Sequence, residues 1–124
     1  MATIDTNIDT SLQLTIHTIT GEVSPDNISD KIKSYSESGP TELVLWDFSK
    51  ADLSKLRIEH VDKFISLTKH YSSYRKGGKT ALVFSSDLGF GLGRIFDTRL
   101  DIMDSRIPYM TFKNMEDALK WLFE

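Results

Sequence analysis

The run Gly89-Phe90-Gly91-Leu92-Gly93-Arg94 has the residue types and spacing of an anion cradle. A helix N-terminus presents unpaired N–H groups and partial positive charge, and glycine lets an anion approach closely. Arg94 and Arg99 would add charge-assisted hydrogen bonds to a phosphate. The competing account is packing, because Gly89 and Gly93 share a helix face and would let another part of the chain press in. Each glycine inside a helix costs about 0.8–1 kcal/mol relative to alanine, so something must compensate. Packing is the preferred account. The first glycine falls several residues past the preceding apolar strand, not in the tight turn of a dinucleotide fingerprint.

Asp47 ends an apolar run, where open α/β sheets place ligands. With Asp52 it would offer a carboxylate pair to a metal or a proton, and Ser49 lies between them. The plainer reading is that Asp47 closes a turn by accepting a backbone N–H. No third ligand stands nearby, so no metal or other cofactor is expected. His60 and His70 fall ten apart on one predicted helix and lack the i, i+4 spacing of a zinc pair. His17 lies opposite the parity of Leu14 and Ile16, which predicts a solvent-facing ring. Ser85 and Ser86 lack the Gly-x-Ser-x-Gly elbow and read, with Asp87, as a helix cap. No catalytic set is legible.

These residues must be carried by a small number of elements. Residues 1–10 read as a flexible arm or weak edge strand, and 11–124 as a single α/β domain. Leu12, Leu14 and Ile16 alternate at the strand period, with a bulge or stop expected near Thr18. Leu43-Val44-Leu45-Trp46 and Thr80-Ala81-Leu82-Val83-Phe84 are continuous apolar runs, as expected of central parallel strands. Tyr109 to Phe112 is a further short strand, and Phe48 to Leu56 reads as a loop. Helices are predicted over Ser24–Ser38, Arg57–Tyr74, Leu88–Leu100 and Met115–Phe123. Ser24-Pro25 starts the first, Gly39-Pro40 stops it, Lys76-Gly77-Gly78 stops the second, and Asn114 with Asp117 caps the last. Trp121 is expected at the core edge or in a dimer contact, and Phe90 in the core or at a ligand mouth.

Composition narrows the function classes. The 124 residues contain no cysteine, which excludes disulfides and thiolate metal sites. A net charge of −3 gives no basic footprint for nucleic acid. No basic apolar leader and no stretch of roughly 18 apolar residues is present, so a cytoplasmic location is expected.

Three stretches together resemble a known family. They are Leu45 to Leu53, Gly78 to Val83 followed by Asp87 to Arg94, and Phe112 to Leu122. The chain resembles the SpoIIAA-like branch of the STAS superfamily, including bacterial proteins of unassigned function. The resemblance implies a mixed sheet of four to five strands with about four helices. In the anti-sigma-factor antagonists of that superfamily, a phosphorylated serine lies in an Asp-Ser-Ser-Gly stretch. Ser54, in Asp52-Leu53-Ser54-Lys55, is the nearest counterpart, with Leu53 and Lys55 departing from the pattern.

The leading expectation is a non-enzymatic binding or interaction module. Its ligand would be a protein partner, a nucleotide or a lipid headgroup, and a homodimer through Trp121 is a further possibility. The candidate ligand residues are Asp47, Ser49, Gly89, Phe90, Gly91, Gly93 and Arg94. An apolar pocket between the Gly89–Leu100 helix and the sheet would favour a lipid-like ligand. The alternative is a small enzyme acting on a phosphorylated metabolite. That alternative requires Asp47 and the glycine turn to face one cleft.

Overall fold

The computed structural model describes residues 2–75, 77–103 and 106–124. Its first two strands, β1 (Thr3–Asp9) and β2 (Leu14–Glu22), form an antiparallel hairpin. Asp9 closes the connecting turn, its carboxylate accepting from Ser11 Oγ at 2.7 Å and the Leu12 N–H at 3.1 Å. Three crossovers follow. Helix α1 (Pro25–Glu37) leads to β3 (Leu43–Asp52), α2 (Ile58–Tyr71) to β4 (Lys79–Val83), and α3 (Asp87–Ile102) to β5 (Tyr109–Phe112). Helix α4 (Met115–Leu122) ends the chain. The sheet order is β1-β2-β3-β4-β5, with β2 to β5 mutually parallel, so the architecture is the expected mixed α/β sheet.

Strands that advance in one direction through right-handed crossovers throw every crossover helix onto the same face. Accordingly α1, α2 and α3 share one face, over Val44, Trp46, Phe48, Leu82 and Phe84. The opposite face, with Leu14, Leu45, Ala81 and Val83, is covered by Ala118 and Leu122 of α4. Lys79 pins α4 to the sheet, its Nζ donating to the Trp121 carbonyl at 2.8 Å and lying 5.0 Å from the indole centroid.

Three readings of the sequence need correction. His17 was expected at solvent, yet it is 0% exposed. Both parities of β2 are buried: Leu14 and Ile16 face the α4 side, while Thr15, His17 and Ile19 face α1. Ile19 therefore does not break the pattern; it belongs to the second buried face. Next, β3 does not stop at Asp47 but runs to Asp52 through a bulge. Thr18 pairs with Asp47 and Thr20 with Lys50, so β3 carries one residue more than β2 there. The bulge reverses parity, and Ala51 and Leu53 return to the α1–α3 face that Phe48 had occupied. Finally, α2 ends at Tyr71 and a 3-10 turn covers Ser72–Tyr74, because the chain must bend to begin β4. Of the proposed stop, Lys76 lies outside the described residues, while Gly78 holds φ +100° with the Glu42 carbonyl where a Cβ would be. Only glycine fits that approach.

The caps follow the sequence closely. Ser24 Oγ accepts the Asn27 N–H at 3.2 Å and Asn27 Oδ1 accepts the Ser24 N–H at 2.9 Å. Ser86 Oγ accepts from Gly89 at 3.0 Å, and Asn114 Oδ1 from Asp117 at 2.8 Å. Each satisfies an N–H that the first helical turn leaves without a partner.

Candidate functional site

The glycine segment lies inside α3, which already begins at Asp87. A Cβ on Gly93 would sit 2.6 Å from Phe84 Cε2 and 2.6 Å from Thr111 Cγ2. One on Gly89 would sit 2.6 Å from Leu53 Cδ1 and 2.7 Å from Phe84 Cδ1. These two glycines let α3 lie flat on β4 and β5. Gly91 faces open space. The Gly89 N–H is taken by Ser86, and Asp87 adds negative charge to the same first turn. Arg94 is held by Asp97, with 3.2 Å between Nη1 and the carboxylate, and Arg99 by Asp62 at 2.6 Å. Phe90 packs against the core with Lys113 Nζ 5.0 Å from its ring centroid.

Asp47 lies before the bulge, in register with Val83 and on the α4 side of the sheet. Its carboxylate accepts the Ser49 N–H at 2.9 Å, closing a turn. The Ser49 carbonyl accepts Ser85 Oγ at 2.8 Å, tying the ends of β3 and β4 together. Asp47 and the glycines of α3 thus occupy opposite faces of the sheet. Asp52 closes a second turn on the Ser54 N–H at 3.0 Å. That hydrogen bond holds the Asp52 carboxyl below its ordinary pKa. Ser54 is exposed. Among the described residues no group of three or more His, Asp or Glu side chains is placed to hold a metal.

An apolar space lies elsewhere. A cavity of about 110 Å³ separates the sheet from α1, α2 and α3. Its walls are apolar and largely aromatic, including Trp46, Phe48, Phe64, Phe84 and Phe96. Phe48 and Phe84 stack at 4.8 Å with ring planes 3° apart, and Trp46 continues the stack at 6.2 Å. Of the residues proposed from sequence, Gly93 lines this cavity; Asp47, Ser49, Gly89, Phe90, Gly91, Arg94 and Ser54 do not. The α3–sheet boundary did form an apolar pocket, but α1 and α2 contribute much of it.

Among the described residues two cations border the cavity and no carboxylate does. Arg57, exposed, caps the start of α2. Arg75 stands beyond the other end and is only 9% exposed. At 1.5 Å per residue, α2 separates them by about 20 Å. Arg75 donates from Nη1 to Thr80 Oγ1 and from Nη2 to the carbonyls of Glu42, at 2.7 Å, and Lys79, at 3.1 Å. Its Nε is buried without a hydrogen-bond partner. Sequence reasoning passed over Arg75, because a single arginine between a helix and a glycine pair looks like any surface cation.

Behind the cavity wall, the ring of His17 packs 4.4 Å from Trp46 and 4.6 Å, edge-on, from Tyr35. Burial, with a smaller push from Lys31, lowers its pKa to about 3. The ring is neutral at neutral pH, with Thr6 Oγ1 2.9 Å from Nδ1.

No family model and no curated protein matches this sequence. Solved structures do. An anti-sigma factor antagonist from Mycobacterium paratuberculosis matches 100% of this chain and 96% of its own, with TM-score 0.64 and 12% identity. An uncharacterized protein of the DUF3478 family with a SpoIIAA-like fold, from Shewanella loihica PV-4, matches 98% and 93%, with TM-score 0.60 and 14% identity. The fold is SpoIIAA-like. The unphosphorylated form of the anti-sigma factor antagonist SpoIIAA itself matches 98% of both chains, with TM-score 0.50 and 16% identity. A SpoIIAA-like fold at such identities fixes the arrangement of the sheet and helices, and leaves function to the side chains.

Proposed function

We propose that this protein is a non-enzymatic binding module that takes a small apolar ligand into the cavity beneath α1, α2 and α3. The observation that carries this reading is the cavity itself, about 110 Å³ and walled by aromatic rings. Protein interiors close-pack, and voids larger than a water are few. A ligand that fills it removes apolar wall from water, which is favourable by about 25 cal/mol per Å². The enzyme alternative loses its premise, since Asp47 and the α3 glycines do not share a cleft.

A protein partner is the second reading. Leu88 is 62% exposed and Ile102 78% exposed, at the two ends of α3. Two structural neighbours are by name anti-sigma factor antagonists, which act on other proteins.

Native mass spectrometry of freshly purified protein separates the readings. Extra mass lost on denaturation, or a rise in melting temperature with n-hexanol, supports the cavity. A clean polypeptide mass together with no response to n-hexanol overturns it.

A further inference from the structure

We infer that the outer edge of β1 is a docking site for an extended protein segment that alternates basic and β-branched residues. This surface is separate from the cavity, whose walls include no residue of β1. β1 ends the sheet, and among the described residues its strand partner is β2. A terminal strand leaves backbone N–H and C=O groups along its outer side open to pairing with another chain. The two ends of this sheet differ. β5 is four residues long, follows Pro108 and runs into Lys113, all features that blunt an edge. β1 is seven residues long, carries no Pro, Lys or Gly, and pairs with β2 without a register shift from Thr3 to Asp9.

The side chains of β1 set the chemistry of its partner. Thr6 reaches His17 and Ile4 packs against the α1-side core, so Ile4, Thr6 and Ile8 share that face. Ile8 is 51% exposed there. Thr3, Asp5, Asn7 and Asp9 point to the other face, where all four are exposed because α4 lies over β3, β4 and β5. The strand thus offers two carboxylates on one face and no cation. Among the described residues neither Asp5 nor Asp9 has a salt-bridge partner. The same carboxylates argue against a second copy. Antiparallel self-pairing centred on Asp5 sets Asp5 against Asp5, and centring it on Asn7 sets Asp5 against Asp9. Centring it on Thr6 gathers Asp5 and Asp9 of both copies as diagonal neighbours. Like charges so placed are destabilising. A strand with Lys or Arg opposite Asp5 and Asp9 turns both positions into cross-strand ion pairs, and β-branched residues between them cover Ile4 and Ile8.

The test adds the end-capped peptide Lys-Val-Thr-Val-Lys-Val-Thr to the wild-type protein at low salt and up to millimolar concentration. Its comparison is Glu-Val-Thr-Val-Glu-Val-Thr. Backbone NMR shifts and amide hydrogen exchange locate the binding. The expected result is that the lysine peptide binds at least about tenfold tighter than the glutamate peptide, from two ion pairs exchanged for two repulsions. The outward amides of β1 should gain protection as it binds. Asp5→Lys, a change at an exposed side chain, should abolish the preference between the peptides. Binding of neither peptide, or equal binding of both, would overturn the proposal. Shifts confined to another surface would overturn it as well. Protected β1 amides in the protein alone, with a dimeric mass, would put a second copy on the edge and overturn the assignment of a basic segment. None of these outcomes bears on the cavity, which n-hexanol tests separately.

Discussion

The Nη2 atom of Arg75 lies 2.7 Å from the carbonyl oxygen of Glu42, joining the segment before β3 to the segment before β4. The same side chain reaches the Lys79 carbonyl and the Thr80 hydroxyl. It therefore braces the start of the central sheet as well as bordering the cavity. Arg75→Met strands three acceptors, and a loss of about 2–4 kcal/mol in unfolding free energy is expected, partly offset by removal of the buried charge. Urea denaturation measures it. A loss under about 0.5 kcal/mol would show the brace to be dispensable.

The three glycines of α3 should answer differently to alanine. Gly91→Ala meets open space and gains helix propensity, so about 0.5–1 kcal/mol of added stability is expected. Gly93→Ala forces a methyl against Phe84 and Thr111, and a net loss of about 1–2 kcal/mol is expected. Thermal unfolding of the two variants side by side checks the contrast. If Gly93→Ala were as stable as Gly91→Ala, the close approach of α3 to β4 and β5 would be wrong.

Val61 lines the cavity from α2. Val61→Ile adds one methylene without changing the branching at Cβ. Into open space it should stabilise the protein by about 0.5–1 kcal/mol, whereas in a tightly packed core it would cost about 1–3 kcal/mol. The sign of the change in denaturation midpoint tells the two apart. The same variant should weaken binding of n-hexanol.

His17 makes stability depend on pH. Its folded pKa of about 3 lies below the ordinary value of 6.5, so the unfolded chain binds the proton more readily. Its contribution is complete above pH 6.5 and is lost as pH falls from there toward 3. The full change is on the order of 5 kcal/mol. Asp9 and Asp52 have lowered pKa values, so their contribution is present above 3.8 and lost below it. His17→Phe should flatten the stability profile between pH 6 and about 4 while leaving the steeper fall at lower pH. Equal slopes in both proteins would mean that His17 is not buried.

Asp47→Ala should cost about 1 kcal/mol through loss of the turn hydrogen bond to Ser49. Small-molecule binding should be unchanged, because Asp47 does not border the cavity. A loss of hexanol affinity would return Asp47 to the site.

The amino-acid sequence by itself determined the local elements, because their signals are local. Ser24 with Pro25, Ser86 and Asn114 start helices through hydrogen bonds spanning three residues. The apolar runs at Leu43–Trp46 and Thr80–Phe84 mark central strands, and Gly89 with Gly93 marks a closely packed helix face. Tertiary structure alone decided what these elements cover. The parity of β2 left His17 outside, since one alternating pattern cannot reveal that helices close over both faces of the sheet. The irregularity between Thr18 and Thr20 falls where the sequence led us to expect a bulge or stop, but that the extra residue belongs to β3 follows only from its pairing with β2, a partner distant in sequence. The cavity is the space that three separate helices fail to fill over one sheet, and no contiguous motif encodes a volume. Arg75 gains its meaning there as well: its charge was visible from the outset, but its burial and unpaired Nε exist only once residues 33 positions apart come together.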